Sequence, residues 1–175
     1  MEIMQPAAHL DQMIRQTRAH HVSLSALADR KANMILTIAA IMIPLSINFL
    51  YDERSHMAAV ILIGFCVLTI LSAALAAMPK INTDNKLDCK PDINQAGFNI
   101  LFFGSFACMP YEDYKEAMAT MMNDSNAVYE TQLREIYTMG KYLAEKKYRY
   151  VQFSYMSFLA GVLLSSMVYV INSYV

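Results

Sequence analysis

The sequence has 175 residues, of which 56% are hydrophobic and 17% are charged, with a formal net charge of −1. A typical soluble domain has about 25% charged residues, so this composition favours a membrane protein, and the near-neutral charge does not support a nucleic-acid partner. Cys66, Cys89 and Cys108 are not at metal-ligand spacing, and we interpret all three as reduced thiols.

Residues 1–31 are predicted to form an amphipathic helix on the cytoplasmic side. Apolar and small residues recur there at a spacing close to a heptad seam. No Pro or Gly lies between Pro6 and Pro44, so one continuous helix is expected from about Leu10 to Leu50. The first apolar run begins too far from the start to be a secretory signal, and we therefore expect it to be a retained anchor.

Three runs are long enough to cross a bilayer, and none of them contains Asp, Glu, Lys or Arg. A hydrocarbon core about 30 Å thick needs about 20 apolar residues in a helix. The runs are residues 32–50, 57–78 and 151–171. The second run lacks the polar face that a soluble helix would need. In the first run, Pro44 predicts a kink, where Ser46 or Asn48 is available to bond the freed carbonyl.

Basic residues are distributed unevenly around these three runs. The central segment, residues 79–150, holds nine of them, whereas the loop at 51–56 has only Arg54 and the tail at 172–175 has none. The basic residues of the amino segment are Arg15, Arg18, Arg30 and Lys31. Because Lys and Arg favour the cytoplasmic side, the amino end and the central segment are predicted to be cytoplasmic. The short loop and the carboxyl end are predicted to be outside.

The central segment is predicted to be mainly helical after an irregular connector at residues 79–95, which is rich in Asn, Asp, Lys and Pro. A short helix is expected at about 110–123, with Pro110 at its start. A long helix is expected at 125–150, capped by Asp124 or Ser125. The apolar patch at 99–104 is interpreted as a plug against the cytoplasmic helices. A segment that dips into the membrane interface or lines a pocket is the alternative.

Two long helices that enter the membrane from the same side would place several polar residues at one level, about 15–20 Å above the bilayer. Such a group can hold one phosphate and stack one base, and a solvated charged face is the alternative interpretation. The residues of this candidate nucleotide site are Arg18, His21, Arg134, Tyr137 and Lys141. The sequence contains no GxGxxG, GxxxxGK[ST], HExxH or CxxC motif, so an enzyme is disfavoured and no metal or cofactor is expected.

Residues 25–43, 99–118 and 133–165 together resemble the Pycsar transmembrane effector family. The entry to the first run, residues 25–43, carries an Asp-x-Lys-Ala step at Asp29, Lys31 and Ala32. NILFFGSF at 99–106 and MPYEDYKEAM at 109–118 are similar to the family's central patch and short helix. Residues 133–165 are similar to its closing helix, with Leu143, Lys147 and Tyr148 among the matching positions. The resemblance covers about residues 10–171.

The resemblance implies an antiphage effector of the bacterial inner membrane that responds to a cyclic pyrimidine mononucleotide, cCMP or cUMP, from a partner cyclase. Impairment of the membrane would then kill the infected cell. A homo-oligomer is expected, with close helix contacts through small residues. These small residues are Ser72, Ala73, Ala76, Ala77, Ala160, Gly161 and Ser165. A membrane scaffold that binds a cytoplasmic protein is the alternative function.

Asp29 has two interpretations at the predicted membrane interface. It can pair with Lys147 or Arg149 and hold the two long helices in register. The same pair can instead be a latch that ligand binding releases. The candidate latch residues are Asp29, Lys31, Lys147 and Arg149.

Overall fold

The structure, a computed structural model, describes residues 8–78 and 98–174. Of these residues 89% are helical and none forms a strand. Three helical stretches are long and apolar enough to cross a membrane: Ala8–Tyr51, His56–Ala77 and Ser125–Tyr174. The predicted fold class, an all-α membrane protein with three long apolar helices, is therefore confirmed. The predicted connector at 79–95 lies outside the described residues.

The described residues form six helices, one 3₁₀ turn and one π-turn. Helix α1 is Ala8–Ile47 and ends in a 3₁₀ turn, Asn48–Tyr51; α2 is His56–Ala77. The central segment contributes α3, Phe103–Phe106, α4, Tyr111–Met122, and α5, Ser125–Tyr142. A five-residue π-turn, Leu143–Lys147, precedes α6, Tyr148–Tyr174.

The ends and interruptions of these helices have local causes. Helix α1 continues through Pro44, which agrees with the prediction of one continuous helix over this stretch. The Ser46 hydroxyl donates to the carbonyl of Met42 at 2.7 Å, so it does not bond the carbonyl that Pro44 frees. At the start of α5, Asp124 Oδ1 accepts the backbone N–H of Asn126 at 2.9 Å, which makes Asp124 the N-cap.

The chain divides into two compact units. Unit 1 comprises Met1–Val22 and Pro79–Lys141, and unit 2 comprises Ser23–Met78 and Tyr142–Val175. In unit 1, Phe98 and Ile100 are buried against Ala117 of α4. The apolar patch at residues 99–104, which was predicted to be a plug against the cytoplasmic helices, therefore packs on α4. The side chains of Phe102 and Phe103 are exposed.

Unit 2 is held together by small residues. Its core joins α1, α2 and α6 through Ala28, Ala32, Ile35, Ala73, Ala76 and Val151. A Cβ atom placed on Gly161 of α6 would overlap the Cβ of Phe65 on α2, so these two helices approach as closely as glycine permits. Ser165 of α6 also donates to the carbonyl of Ala58 at 2.9 Å.

Most of the small residues that the sequence offered for assembly are used within one chain. Ser72, Ala73, Ala76 and Gly161 are all buried in unit 2. The Ser72 hydroxyl bonds back to the carbonyl of Leu68 at 2.7 Å, which satisfies it in an apolar setting. A second copy of the chain would therefore have to contact other residues.

Candidate functional site

In unit 1, polar pairs join α1 to α5. The Tyr129 hydroxyl donates to Asp11 Oδ1 at 2.6 Å. Two helical turns further along α1, Arg18 Nη2 lies 3.0 Å from Glu135 Oε1. Glu135 is the residue after Arg134. Arg18 therefore lies level with Arg134, as the sequence predicted for the candidate nucleotide site.

His21 lies against a glycine of α5. A Cβ atom on Gly140 would lie 3.2 Å from His21 Cε1, so the imidazole ring occupies the space that a larger residue would need. A glycine inside a helix costs about 1 kcal/mol relative to alanine, and this contact accounts for its presence. His21 Nδ1 is buried without a hydrogen-bond partner among the described residues. A buried, unbonded ring nitrogen is a group that a ligand can satisfy.

The other three candidate nucleotide residues lie on a different face of α5. Arg134, Tyr137 and Lys141 follow one another at spacings of three and four residues and are all exposed. Arg134 forms an ion pair with Glu130 at 3.1 Å, and Tyr137 is 69% exposed. Within the described parts of the chain, no hydrogen bond, ion pair or ring contact joins Arg18 or His21 to Arg134 or Tyr137. The candidate set therefore divides into Arg18 and His21, which face α5 from α1, and a group of three exposed residues on α5.

An open depression of about 290 Å³ also lies in unit 1. Its lining residues are Phe106, Ala107, Met109, Tyr111 and Tyr114. None of the candidate nucleotide residues lines it, so it does not enlarge that site.

In unit 2, Lys147 is buried and bonded to α1. Its Nζ lies 2.7 Å from Asp29 Oδ2 and 2.8 Å from Ser25 Oγ. Only 9% of the Lys147 side chain is exposed, against 40% for Asp29. A buried ammonium needs such a partner because the cost of removing it from water is several kcal/mol. Of the two cations that the sequence offered to Asp29, the structure places Lys147 there.

Two tyrosines continue the contact between α1 and α6. Tyr148 donates to the carbonyl of Leu24 at 3.1 Å, and Tyr155 donates to the carbonyl of Lys31 at 3.3 Å. The contacts of unit 2 between α1 and the π-turn or α6 join residues 118 to 124 positions apart. The side chains of Lys31 and Arg149 are exposed, and neither forms an ion pair among the residues that the structure describes.

Three features of these sites were not predicted from the sequence: Glu135, Ser25 and the π-turn. Ser25 lies four residues before Asp29, so helical spacing alone would have placed both residues on one face of α1. Glu135 could have been proposed as the partner of Arg18, because it is the carboxylate next to Arg134 in the sequence. The π-turn has no sequence signature, since α and π windings accept the same residue types.

Comparison with known proteins gives one family. No curated protein matches the chain, and no solved structure matches it. The family model described as the Pycsar effector protein domain, PycTM, matches residues 12–172. This range includes Arg18, His21, Asp29 and Lys147 and the three apolar runs. The chain therefore belongs to the PycTM family of Pycsar effectors, and this membership supports a role in Pycsar antiphage defence.

Proposed function

We propose that the protein is a non-enzymatic effector that binds a cyclic pyrimidine nucleotide, cCMP or cUMP, and then impairs the inner membrane so that the infected cell dies. The observation that carries this proposal is the family match across residues 12–172 in a chain with three helices apolar enough to cross a bilayer. The nucleotide would come from a partner cyclase. The antiphage role is a property of the family, whereas the ligand and the effect on the membrane are the steps that we propose.

We place the protein in the bacterial inner membrane with its amino end in the cytoplasm and its carboxyl end in the periplasm. The distribution of Lys and Arg supports this orientation, because the only basic residue between the first two apolar runs is Arg54. Unit 1 would then be exposed to a nucleotide made in the cytoplasm.

Arg18 and His21 are our first candidates for nucleotide contact. They lie three residues apart on one helix, so both side chains point to the same side of α1. The cyclic phosphodiester carries one negative charge, which a guanidinium binds through charge-assisted hydrogen bonds. Since Arg18 already pairs with Glu135 through Nη2, the phosphate would compete with that carboxylate for the guanidinium. The unbonded His21 Nδ1 is available for a further hydrogen bond. Arg134, Tyr137 and Lys141 are the candidates on the other face of α5.

Ligand binding favours a second state only through the difference between its affinities for the two states. A difference of about 100-fold supplies about 2.7 kcal/mol. We propose that this free energy releases the ion pair between Asp29 and Lys147, which serves as a latch on unit 2. The short distance of 2.7 Å and the burial of Lys147 make this pair the strongest charged contact between α1 and the π-turn.

Calorimetry with the purified full-length protein tests the binding step. We expect heat of binding with cCMP or cUMP, and a loss of affinity of at least tenfold, about 1.4 kcal/mol, in Arg18→Ala. Lys115→Ala is the matched control, because Lys115 forms an exposed pair with Glu112 on α4 outside the site. No binding of either nucleotide by the unmodified protein would contradict the proposal.

A membrane scaffold is the second candidate function. It is favoured by exposed apolar side chains in unit 1, among them Phe103, Tyr111 and Met122, because such residues are enriched at protein interfaces. A scaffold predicts a protein that copurifies in stoichiometric amount and no heat of binding with either nucleotide.

A further inference from the structure

The π-turn places Lys147 at a change in helical winding. The backbone N–H of Tyr148 bonds the carbonyl of Leu143, five residues back, whereas an α-helical bond spans four residues. The turn therefore holds one residue more than an α-helical turn. Single π-turns inside α-helices are rare and occur frequently at functional sites.

Two polar side chains at the end of this turn reach α1 within unit 2. Lys147 bonds Asp29 and Ser25, and the next residue, Tyr148, bonds the carbonyl of Leu24. An apolar side chain would fill the same space without the cost of burying a charge. A lysine at this position therefore specifies one arrangement of the turn against α1.

The ion pair is held by one carboxylate oxygen. Asp29 Oδ2 accepts from Lys147, while Asp29 Oδ1 is buried and has no hydrogen-bond partner in the part of the chain that the structure describes. Because a buried acceptor without a partner costs about 1–3 kcal/mol, the docked state is less stable than a fully bonded pair would be. This incomplete bonding suits a contact that has to open.

We infer that the π-turn and the Asp29–Lys147 pair form a single two-state element. While Lys147 is docked, the turn keeps its extra residue. When Lys147 leaves Asp29, the turn rewinds as α-helix and the extra residue passes into the first turns of α6. Each α-helical residue turns about 100°, so residues 148–151 rotate by about that angle relative to Leu143. The inference rests on the proposed function, in which it supplies the motion that follows release of the latch.

The rotation is confined to the start of α6. Gly161 packs against Phe65 with no space for a larger residue, so α6 cannot turn there without separating from α2. The extra residue is therefore taken up before Gly161. This predicts a change in which residues near 150 face the core and no change near 161.

Cysteine scanning tests this geometry without nucleotide. Single cysteines at positions 148–160, in full-length protein whose three natural cysteines are replaced, are labelled with N-ethylmaleimide in proteoliposomes. With Lys147 present, cysteines at Val151, Ser154 and Ser157, which are buried, should react slowest. In Lys147→Met, the first position that reacts slowly should move one residue earlier, from Val151 to Tyr150, and a cysteine at Ser157, which is buried nearer Gly161, should stay slow. Asp29→Asn should give the same shift, and Lys146→Met, an exposed neighbour, should not.

Deletion of Ala144 provides a second, independent measurement. It removes the extra residue, so the turn becomes α-helical without rotating α6, and Lys147→Met should then leave the slow position at Val151. An unshifted pattern in both Lys147→Met and Asp29→Asn would overturn the inference, as would a shift that persists after the deletion. Neither readout depends on nucleotide or leakage, so the inference can fail while the proposed function stands, and the reverse.

Discussion

Arg18 and Glu135 show how one residue pair can decide the affinity of the proposed site. The Glu135 carboxylate forms an ion pair with the Arg18 guanidinium, which is the group that the phosphate of the nucleotide would bind. Its negative charge also repels an anionic ligand. We predict that Glu135→Gln raises the affinity for the cyclic nucleotide about three- to tenfold, or about 0.7–1.4 kcal/mol. Titration calorimetry of the purified protein measures this change.

The control for that variant is Glu112→Gln, which removes an equivalent charge from the exposed pair with Lys115 on α4. It should leave nucleotide affinity unchanged. Equal effects of the two substitutions, or weaker binding in Glu135→Gln, would show that Glu135 does not compete with the ligand.

At the residue scale, the sequence indicated which charged residues take part in ion pairs, but it did not decide which residue pairs with which. Asp29 was predicted to pair with Lys147 or Arg149, and the structure has the Lys147 pair. Arg18 was predicted to lie at one level with Arg134 and Tyr137, but the identity of its partner, Glu135, depends on which side of α5 faces α1. The roles of these residues in binding and latching stay predictions.

At the scale of elements, glycine sets the distance between α2 and α6. Gly161 faces Phe65 without space for a Cβ atom, whereas a Cβ atom on Gly64 would meet nothing within 4 Å. We predict that Gly161→Ala lowers the free energy of unfolding by about 1–3 kcal/mol through overpacking, net of the gain in helix propensity. Thermal unfolding in detergent, followed by circular dichroism, measures the change.

Gly64→Ala is the matched control on the facing helix. It should be neutral or raise stability by up to about 1 kcal/mol, because alanine has the higher helix propensity. If both substitutions shift the unfolding midpoint equally, the close approach of α2 and α6 does not limit stability.

The sequence predicted the helices because apolar length, Pro110 and the Asp124 cap are local signals. It did not predict the partners of the small residues. Ser72, Ala73 and Ala76 permit close packing on any neighbour, and sequence alone does not distinguish a neighbour in the same chain from one in a second copy. The structure buries them within unit 2.

At the scale of the whole molecule, orientation follows from charge. We predict that a cysteine at Ser173 reacts with a membrane-impermeant maleimide added to spheroplasts, and that a cysteine at Glu116 reacts only after the membrane is permeabilised. Both positions are exposed, so accessibility to solvent does not distinguish them. The opposite labelling pattern would reverse the proposed orientation, which rests on the distribution of Lys and Arg.

Dye leakage from proteoliposomes tests the central claim most directly. Purified protein is reconstituted into vesicles that hold a self-quenched dye, and cCMP, cUMP or cyclic AMP is added on the side that unit 1 faces. We predict leakage with one or both cyclic pyrimidines, none with cyclic AMP, and a weaker response from Arg18→Ala than from Lys115→Ala. Vesicles that stay intact with both cyclic pyrimidines at saturating concentration would contradict the account.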